Sequence, residues 1–379
     1  MRFIYADNAA TTRLSDTALK AMLPYLREEY GNASTLYKLG RSAHNAVASA
    51  RRTFADGIQA IPAEIFFTSG GTESDNWAIK GTAHRLARLG KRHIVTDNIE
   101  HHAVLNSVSA LAREGFEITY VKADADGVVP PQAVRAAIRP DTALVSVMFA
   151  NNELGTIQPV AEIGRICHDA GVLFHCDAVQ AAGILPINVQ AMNIDLLSIS
   201  AHKFHGAKGV GVLYARRGCA PEVYIDGGEQ EYHHRAGTEN VAGIVGAAAA
   251  FAEALGEREH KAARLAQMRD EIQAGLLKIP EAVVNGANAA RLPGTLNMSF
   301  SGVDGQSLIF ALDSNGIAAS SGSACASGSI SPSHVLLALG LPYSLAHGSL
   351  RISLGRYNTS GEVNTVIQTV TRVITEMRA

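Results

Sequence analysis

The chain has 379 residues, more than a single hydrophobic core usually supports, so two domains of unequal size are expected. Hydrophobic residues make up 47% and charged residues 18%, a globular balance that excludes a disordered chain. The 33 Lys and Arg residues nearly balance the 35 Asp and Glu residues, which gives a formal charge of −2. This excludes the strongly basic surface expected of a protein that binds nucleic acid or an anionic membrane.

The beginning of the sequence, "MRFIYADNAATT", lacks the apolar stretch of a secretory signal, and no apolar run is long enough to span a bilayer. The cysteines, Cys167, Cys176, Cys219 and Cys325, lie far apart and form no C-x-x-C pair. A disulfide scaffold and a four-thiolate zinc site are therefore not expected. We expect a cytoplasmic protein with reduced thiols.

From about residue 60 to 216, short runs rich in β-branched and aromatic residues alternate with helical patterns. The runs are "EIFFTS", "RHIVTD", "FEITYV", "TALVSVMF", "VLFHCDA", "DLLSIS" and "VGVLYA". Such alternation predicts an α/β fold with a mostly parallel sheet that is covered on both faces. In such a sheet, the ligand site lies beyond the carboxyl ends of the strands.

The pattern becomes helical from about residue 238 to 278, and the remaining segments suggest a smaller α/β unit that ends in an amphipathic helix near 361–377. We predict a large domain over residues 15–255. Residues 1–14 and 256–379 are predicted to form a small domain that carries the segment around Cys325.

The segment "FFTSGGTESDN" ends a strand, turns at Gly70 and Gly71, and begins a helix near Thr72. Backbone N–H groups at a helix N-terminus bind anions, and the Thr72 hydroxyl adds a donor. An ordinary capped helix explains this segment equally well when it is taken alone.

The segment "FHCDAVQAAG" places Asp177 at the end of an apolar strand, with Gln180 one helical turn later. A carboxylate at this position faces a ligand or caps the next helix. If Asp177 faces a ligand, it can pair with a protonated ring nitrogen, and Gln180 can bond a ring hydroxyl.

The segment "LLSISAHKFHGAKGVGVLY" places Lys203 just after a strand. A partly desolvated lysine in this position can form a Schiff base, although an exposed loop lysine is the commoner case. His202 and His205 are three residues apart, but no carboxylate or thiolate completes a ligand set, so no metal is expected.

Together, these segments supply a helix N-terminus for a phosphate, an acid for a pyridinium nitrogen and a lysine for an aldehyde. Pyridoxal 5′-phosphate requires this combination. The order of the three segments is more informative than any of them alone.

The motifs "YADNAATT", "TSGGTESDN", "NNELGTIQP", "HCDAVQ", "SISAHKFHGAKGVG", "RAGTEN", "SSGSACASG" and "RISLGR" resemble the motif series of NifS/IscS-type cysteine desulfurases, which belong to the class V aminotransferase-like enzymes. The resemblance extends from residue 5 to about 357. It implies the fold of PLP-dependent transferases of fold type I, with a large domain and a smaller C-terminal α/β domain.

The resemblance also implies roles for individual residues. Lys203 matches the lysine that binds the cofactor covalently, His101 the histidine stacked on the ring, and Arg351 the clamp for the substrate carboxylate. Thr238 matches a phosphate contact supplied by the neighbouring subunit, which implies a homodimer. The implied contacts of the phosphate are Gly71, Thr72, Ser200 and His202. Asp177 is implied to pair with the ring nitrogen, and Gln180 and Asn152 to lie around the ring hydroxyl. Asn152 is also implied to contact the substrate.

At two positions, the sequence departs from the family motifs or offers an alternative residue. The family often has alanine or cysteine where Gly71 stands, which should matter little because backbone N–H groups bind the phosphate. His102 follows His101 directly and is the alternative for the stacking position. Whether His101 deprotonates Cys325 or the substrate thiol stays open.

Cys325 lies in "SSGSACASGS", whose small polar residues cannot pack a core around a thiol. The resemblance implies that Cys325 accepts the sulfur of L-cysteine as a persulfide and passes it to an acceptor protein, such as an iron–sulfur scaffold, while alanine is released. Gly322 and Gly328 flank Cys325 and are predicted hinges. Cys167, on a helix, and Cys176, in a strand, are predicted to be packed.

Three alternative functions share part of these features. A class V aminotransferase would not need Cys325, and a non-enzymatic sulfur carrier would not need Lys203. A selenocysteine lyase would share the chemistry and differ in its preferred substrate.

Overall fold

The computed structural model describes residues 3–321 and 331–379. Strand β1 (Ile4–Tyr5) comes first, followed by helices α1 (Asp16–Arg27) and α2 (Lys38–Ile58). The Ser15 side chain accepts a hydrogen bond from the Ala18 N–H, which satisfies a free donor at the start of α1. Both helices pack against α9 (Val241–Leu276), a long helix that follows the central sheet.

The central sheet contains every strand predicted between residues 60 and 216. Its strands are β2 (Ile65–Thr68), β3 (His93–Asp97), β4 (Glu117–Val121), β5 (Thr142–Ser146), β6 (Leu173–Asp177), β7 (Leu196–Ser200) and β8 (Gly211–Ala215). The order is β2-β8-β7-β6-β5-β3-β4, and β8 runs antiparallel to both of its neighbours. The connection between β7 and β8 is too short for a parallel crossover, which explains the reversed direction. The prediction of a mostly parallel seven-stranded sheet is confirmed.

Helices connect these strands and cover the sheet. They are α3 (Gly71–Asn76), α4 (Thr82–Ala87), α5 (His102–Arg113), α6 (Pro131–Ala137), α7 (Val160–Asp169) and, after the sheet, α8 (Gln230–His233). A π-helical turn (Trp77–Gly81) joins α3 to α4, and the Trp77 indole N–H donates to the Glu222 carbonyl at 2.8 Å. Gly171 follows α7 with φ of +63°, as expected for the glycine that ends a helix.

The C-terminal part of the chain forms a second hydrophobic core. Its elements are β9 (Ala282–Val284), β10 (Thr295–Phe300), α10 (Gly305–Ser314), β11 (Ile317–Ala318), α11 (His334–Ala338), α12 (Tyr343–His347), β12 (Ser349–Ser353) and α13 (Val363–Arg378). Ile4 and Ala6 pack in this core, and β1 pairs with β11 in parallel. Helices α11 and α12 belong to this part of the chain, but Val335 and Leu336 of α11 and Ala346 of α12 pack with the core of the central sheet. The division of the chain at residue 255 stays a prediction, because α9 runs through this point without a break.

Among residues 3–321 and 331–379, no helix is both long and apolar enough to cross a membrane.

Candidate active site

A cavity of about 290 Å³ lies at the carboxyl ends of the parallel strands of the sheet. The end of β6, the turn after β7, the start of α3 and strand β12 all contribute to its wall. The residues predicted from the sequence that line this cavity are Gly71, Thr72, His101, Asn152, Asp177, Gln180, Ser200, His202, Lys203 and Arg351. Residues that are distant in sequence therefore meet in one place.

Among the described residues, Thr238 is the one predicted site residue that does not line this cavity. Thr238 is exposed and lines a separate pocket of about 180 Å³ together with Ser69 and Arg235. Arg51 holds the segment before Thr238 in place by donating to both carboxylate oxygens of Glu231 at 2.7 and 2.8 Å. Cys325 lies outside the described residues, as do the predicted hinges Gly322 and Gly328.

The start of α3 forms one end of the cavity. Gly71 is buried there, and a Cβ atom at this position would lie 2.6 Å from Cγ2 of Val179. This close approach explains why glycine stands at residue 71 in a chain that has valine at residue 179. Arg235 donates from Nε to the Glu73 carboxylate at 2.8 Å, so the first turn of α3 is tied to the segment that carries Thr238.

Asp177 is the last residue of β6 and is 5% exposed. Its Oδ1 accepts a hydrogen bond from the Val179 N–H at 2.8 Å. Burial raises the pKa of Asp177 to about 6, against the effects of this hydrogen bond and of the Lys203 charge. A cationic partner in the cavity would offset the desolvation of the Asp177 carboxylate.

Lys203 ends the 3₁₀ turn (Ala201–Lys203) that follows β7. Its Nζ donates to the carbonyl oxygens of Ala9 and Ala10 at 2.6 and 2.9 Å. The Gln180 side chain also donates to the Ala9 carbonyl, at 3.0 Å. The segment "DNAATT" thus supplies acceptors that hold the lysine, a role that sequence reasoning missed because a backbone carbonyl leaves no mark on residue type.

His101 caps α5, and its Nδ1 accepts a hydrogen bond from the Ala103 N–H at 3.1 Å. Burial, followed by the Lys203 charge, lowers the pKa of His101 to about 4, so the ring is neutral at physiological pH. A neutral ring that accepts at Nδ1 carries its proton on Nε2. His102 is exposed and contacts His334, with ring centroids 4.7 Å apart, while His101 lines the cavity.

Arg351 on β12 is 3% exposed and is anchored on two sides. Its Nη1 donates to the Asn152 carbonyl at 2.9 Å, and its Nη2 donates to Oδ1 of Asp7 at 2.7 Å. Its Nε has no hydrogen-bond partner among the described residues. A fixed guanidinium with a free donor suits the binding of a carboxylate.

The two histidines that flank Lys203 have separate partners. His202 Nδ1 lies 3.0 Å from the Thr11 hydroxyl, and His205 Nδ1 lies 2.9 Å from the Arg13 carbonyl. Burial lowers the pKa of each imidazole to about 4. His202 lines the cavity, and His205 does not, so the pair does not face a common ligand there.

The structure adds polar residues that sequence reasoning did not single out. Asp75 lines the cavity on the same face of α3 as Gly71, and this i, i+4 spacing was visible in "GGTESDN". Glu153 is 4% exposed, and the Ser333 hydroxyl donates to its carboxylate. No sequence signal pointed to the pair of Glu153 and Ser333, because it joins segments 180 residues apart.

Described residues on both sides of segment 322–330 contact Arg351 or the residue before His101. Before the segment, the backbone N–H of Arg351 donates to the Ser320 carbonyl at 2.6 Å. After the segment, His334 donates from Nε2 to the Glu100 carbonyl at 3.0 Å, next to His101 in sequence. Ser320 therefore contacts a residue that lines the cavity, and His334 contacts the residue that precedes one.

Cys167, Cys176 and Cys219 lie within the described residues. Cys167 on α7 and Cys176 on β6 are fully buried, which confirms the prediction that they are packed. Burial raises the pKa of the Cys167 thiol to about 12, so the thiolate needed for nucleophilic attack is absent at neutral pH. Cys219 is half-buried, and burial raises the pKa of its thiol as well.

The cavity fits pyridoxal 5′-phosphate by its volume and by the donors and acceptors in its wall. Two buried polar atoms, Oδ1 of Asp75 and Nε of Arg351, have no hydrogen-bond partner among the described residues. Buried polar groups of this kind are usually satisfied by a ligand or by water. A lysine, a strand-end carboxylate and a helix N-terminus surround the same space, as this cofactor requires.

Comparison with known proteins identifies the class of this chain. The family described as Aminotransferase class-V matches residues 4–366. The chain therefore belongs to the class V aminotransferase family.

Within this family, the chain is similar to the following individual proteins. The chain is 50% identical to "Cysteine desulfurase IscS" of Methanosarcina thermophila, over 99% of this chain and 93% of the relative. Its structure matches that of a "NifS-like protein" with a TM-score of 0.93 at 39% identity, covering 99% of this chain and 100% of the other. It also matches "SspA in complex with cysteine" with a TM-score of 0.83 at 37% identity, covering 94% of this chain and 100% of the other.

Proposed function

We propose that this protein is a pyridoxal-phosphate-dependent cysteine desulfurase, which converts L-cysteine to L-alanine and transfers the sulfur to Cys325 as a persulfide. The observation that carries the proposal is the meeting of Lys203, Asp177 and Arg351 around one cavity. The relatives named cysteine desulfurase support the same activity, because they match nearly the full length of the chain. A structural relative with bound cysteine supports the substrate.

The cofactor would lie between α3 and the ends of β6 and β7. Gly71, Thr72, Ser200 and His202 would hold its phosphate, and Asp177 would pair with the ring nitrogen. When bound, pyridoxal phosphate supplies an electron sink for the electron pair left at the substrate α-carbon. Gln180 and Asn152 would contact the ring hydroxyl.

Lys203 holds the cofactor and then moves the α-proton of the substrate. Its Nζ is directed by the Ala9 and Ala10 carbonyl oxygens, which restrict the side chain to one side of the cavity. An amine that is fixed in this way can accept a proton and return it without a large rearrangement.

Arg351 binds the substrate carboxylate. Asp7 and the Asn152 carbonyl hold its guanidinium, so little side-chain entropy is lost when a substrate binds. Its backbone on β12 is hydrogen-bonded to that of Ser320.

His101 would cover the cofactor ring, and its neutral imidazole holds a proton on Nε2. Because its pKa is lowered to about 4, the imidazole can accept a further proton only transiently at neutral pH. We assign to His101 the removal of a proton from the substrate thiol or from Cys325.

Cys325 accepts the sulfur. Its thiolate attacks the substrate sulfur, so an S–S bond forms while the carbon–sulfur bond breaks. The electron pair of that bond remains with the carbon skeleton, which is protonated and leaves as alanine. Cys325 retains the persulfide and passes its outer sulfur to an acceptor protein, such as an iron–sulfur scaffold.

The proposed assembly is a cytoplasmic homodimer. Thr238 is exposed and lines a pocket other than the cavity of its own chain, which supports a role at the phosphate of the neighbouring subunit. Arg235 and Glu73 link this segment to α3, so assembly and cofactor binding share residues. The formal charge of −2 gives no support to a nucleic-acid partner.

The other functions are less well supported. A class V aminotransferase would release no sulfur and would need an amino-group acceptor, and the relatives are named for desulfuration rather than transamination. A selenocysteine lyase would prefer the selenium substrate. A comparison of rates with cysteine and selenocysteine separates it from the proposed enzyme.

The test uses purified protein and its Cys325→Ser variant, with Cys219→Ser as the matched control. We expect the visible absorbance of bound pyridoxal phosphate in all three proteins. With cysteine and a reductant but no amino-group acceptor, wild type and Cys219→Ser should form alanine and sulfide. Cys325→Ser should form sulfide at least ~10²-fold more slowly, because no thiolate is present to accept sulfur. Equal rates in wild type and Cys325→Ser, or no cofactor absorbance in wild type, would contradict the proposal.

A further inference from the structure

Asp75 is a buried acid in the wall of the same cavity as Asp177. It lies on α3, its side chain is 1% exposed, and it lines the same cavity as Asp177 and His101. Side-chain atoms of these three residues lie within 4.8 Å of one another. Oδ1 of Asp75 has no hydrogen-bond partner among the described residues.

His175 approaches Asp75 most closely among the imidazoles, but the two do not form an ion pair. Its Nε2 lies 3.6 Å from Oδ1 of Asp75, beyond a good hydrogen bond. Both ring nitrogens already lie near hydroxyls, at 2.9 Å from Ser146 and at 3.0 Å from Ser198. Burial lowers the pKa of His175 to about 3, so the ring is neutral.

The charged groups that act on Asp75 and on its acidic neighbours are themselves acidic, apart from Lys203, which acts on Asp177. Glu100 and Asp97 are fully buried near the same strand ends, and repulsion by Asp75 contributes to the raised pKa of Glu100. Burial, followed by repulsion from Asp177, raises the pKa of Asp75 well above its ordinary range, against the effect of a hydrogen bond with the Ser198 side chain. A buried carboxylate without a cation is costly, so Asp75 keeps its proton.

We propose that Asp75 is a positioning residue that acts through Asp177: as a neutral carboxylic acid, it donates a hydrogen bond toward the Asp177 carboxylate and keeps that carboxylate anionic toward the cofactor ring. This inference rests on the proposed function, because it concerns the ring nitrogen of pyridoxal phosphate. Neither the sequence motifs nor the relatives assign this role to Asp75.

The consequence concerns the proton between Asp177 and the ring nitrogen. This proton can lie on the ring, which gives an ion pair, or on Asp177, which gives two neutral groups. A donor that contacts only the Asp177 carboxylate stabilises the ion pair, because it favours the charged form of the acid. A protonated ring is the better electron sink, so Asp75 would favour catalysis without touching the substrate.

The experiment measures the ring nitrogen directly. Wild type, Asp75→Asn and Asp75→Leu are reconstituted with pyridoxal phosphate labelled with ¹⁵N in the ring, and the ¹⁵N chemical shift is recorded. Asparagine keeps a neutral donor of the same shape, whereas leucine keeps the volume and removes the donor. We expect a protonated ring in wild type and Asp75→Asn, and a shift of roughly tenfold or more toward the neutral ring in Asp75→Leu.

Each outcome decides the proposal. An unchanged ring nitrogen in Asp75→Leu overturns it, and equal shifts in the Asn and Leu variants would show that Asp75 acts as an anion, which also overturns it. If Asp75→Leu does not fold, infrared difference spectra of wild type and Asp75→Asn decide, because a protonated-carboxyl band must be lost in the variant at neutral pH. Failure of wild type to bind the cofactor would instead contradict the proposed function.

Discussion

The carboxyl edge of the central sheet and the C-terminal part of the chain contribute different groups to one cavity. At the sheet edge, Asp177 at the end of β6 and Lys203 after β7 are held by short hydrogen bonds. From the C-terminal part comes Arg351 on β12, and Ser333 caps α11 and bonds Glu153 outside the cavity. The sheet edge holds groups suited to the cofactor, whereas the C-terminal part holds groups suited to the substrate and to sulfur transfer. Substitutions in the two regions should therefore fail in different ways.

The largest effect is expected at the sheet edge, for Lys203→Ala. Loss of the amine removes both the covalent attachment of the cofactor and the proposed base, so kcat for alanine formation should fall by ~10⁴-fold. Lys122→Ala is the matched control, because Lys122 also follows a strand of this sheet but is exposed. The assay is alanine formation with added cofactor. A loss of less than tenfold would show that Lys203 is not the base.

At the substrate end, Arg351→Lys should weaken binding more than it slows the reaction. Lysine cannot keep the contacts to Asp7 and the Asn152 carbonyl while it also pairs with a carboxylate. We expect KM for cysteine to rise by ~10–100-fold, with kcat changed only a few-fold. Steady-state kinetics with Arg372→Lys, a surface residue, as the control separate the two parameters. A fall in kcat at unchanged KM would place Arg351 in the chemical step instead.

Ser333→Ala should lower stability rather than catalytic chemistry. The Ser333 hydroxyl accepts from the N–H groups of Val335 and Leu336 at the start of α11 and donates to Glu153. Its loss should lower the free energy of unfolding by about 1 kcal/mol. Ser344→Ala, at an exposed position of α12, is the control and should change it by less than ~0.5 kcal/mol. Equal stability of the two variants in thermal unfolding would contradict this account.

The smallest effect concerns the pH dependence of stability through Glu153. Burial raises the pKa of this carboxyl from 4.5 to about 7, against the effects of Ser333 and Arg351. Between these values the folded protein binds more protons at Glu153 than the unfolded chain, so this residue makes stability fall as pH rises. Glu153→Gln should therefore lose less stability than wild type between pH 4.5 and 7. Parallel unfolding curves for the two proteins across this range would show that Glu153 does not titrate there.

The features that the sequence could predict are those with a local pattern of residues. The strands of the central sheet were predicted because each is a short run of apolar and β-branched residues, and their ends led to Asp177 and Lys203. The helical stretch near 238–278 and the final helix near 361–377 are confirmed as α9 and α13. These elements carry local patterns that do not depend on distant contacts.

Other features depend on contacts between segments that are distant in sequence. The acceptors of Lys203 are carbonyl groups 194 and 193 residues away, and Ser333 meets Glu153 across 180 residues. The neutral state of His175 follows from its burial between Ser146 and Ser198, which the alternation of β6 alone does not show. The roles of Cys325 and Thr238 came from the family resemblance and remain proposals, because Cys325 lies outside the described residues and Thr238 lies outside the cavity of its own chain.

Mass spectrometry of the protein after one turnover with ³⁵S-labelled cysteine tests the central claim most directly. The account predicts one added sulfur atom, carrying the label, on the peptide that contains Cys325, together with one equivalent of alanine. Label on the peptide of Cys167, Cys176 or Cys219, or alanine formed without any persulfide on Cys325, would contradict it.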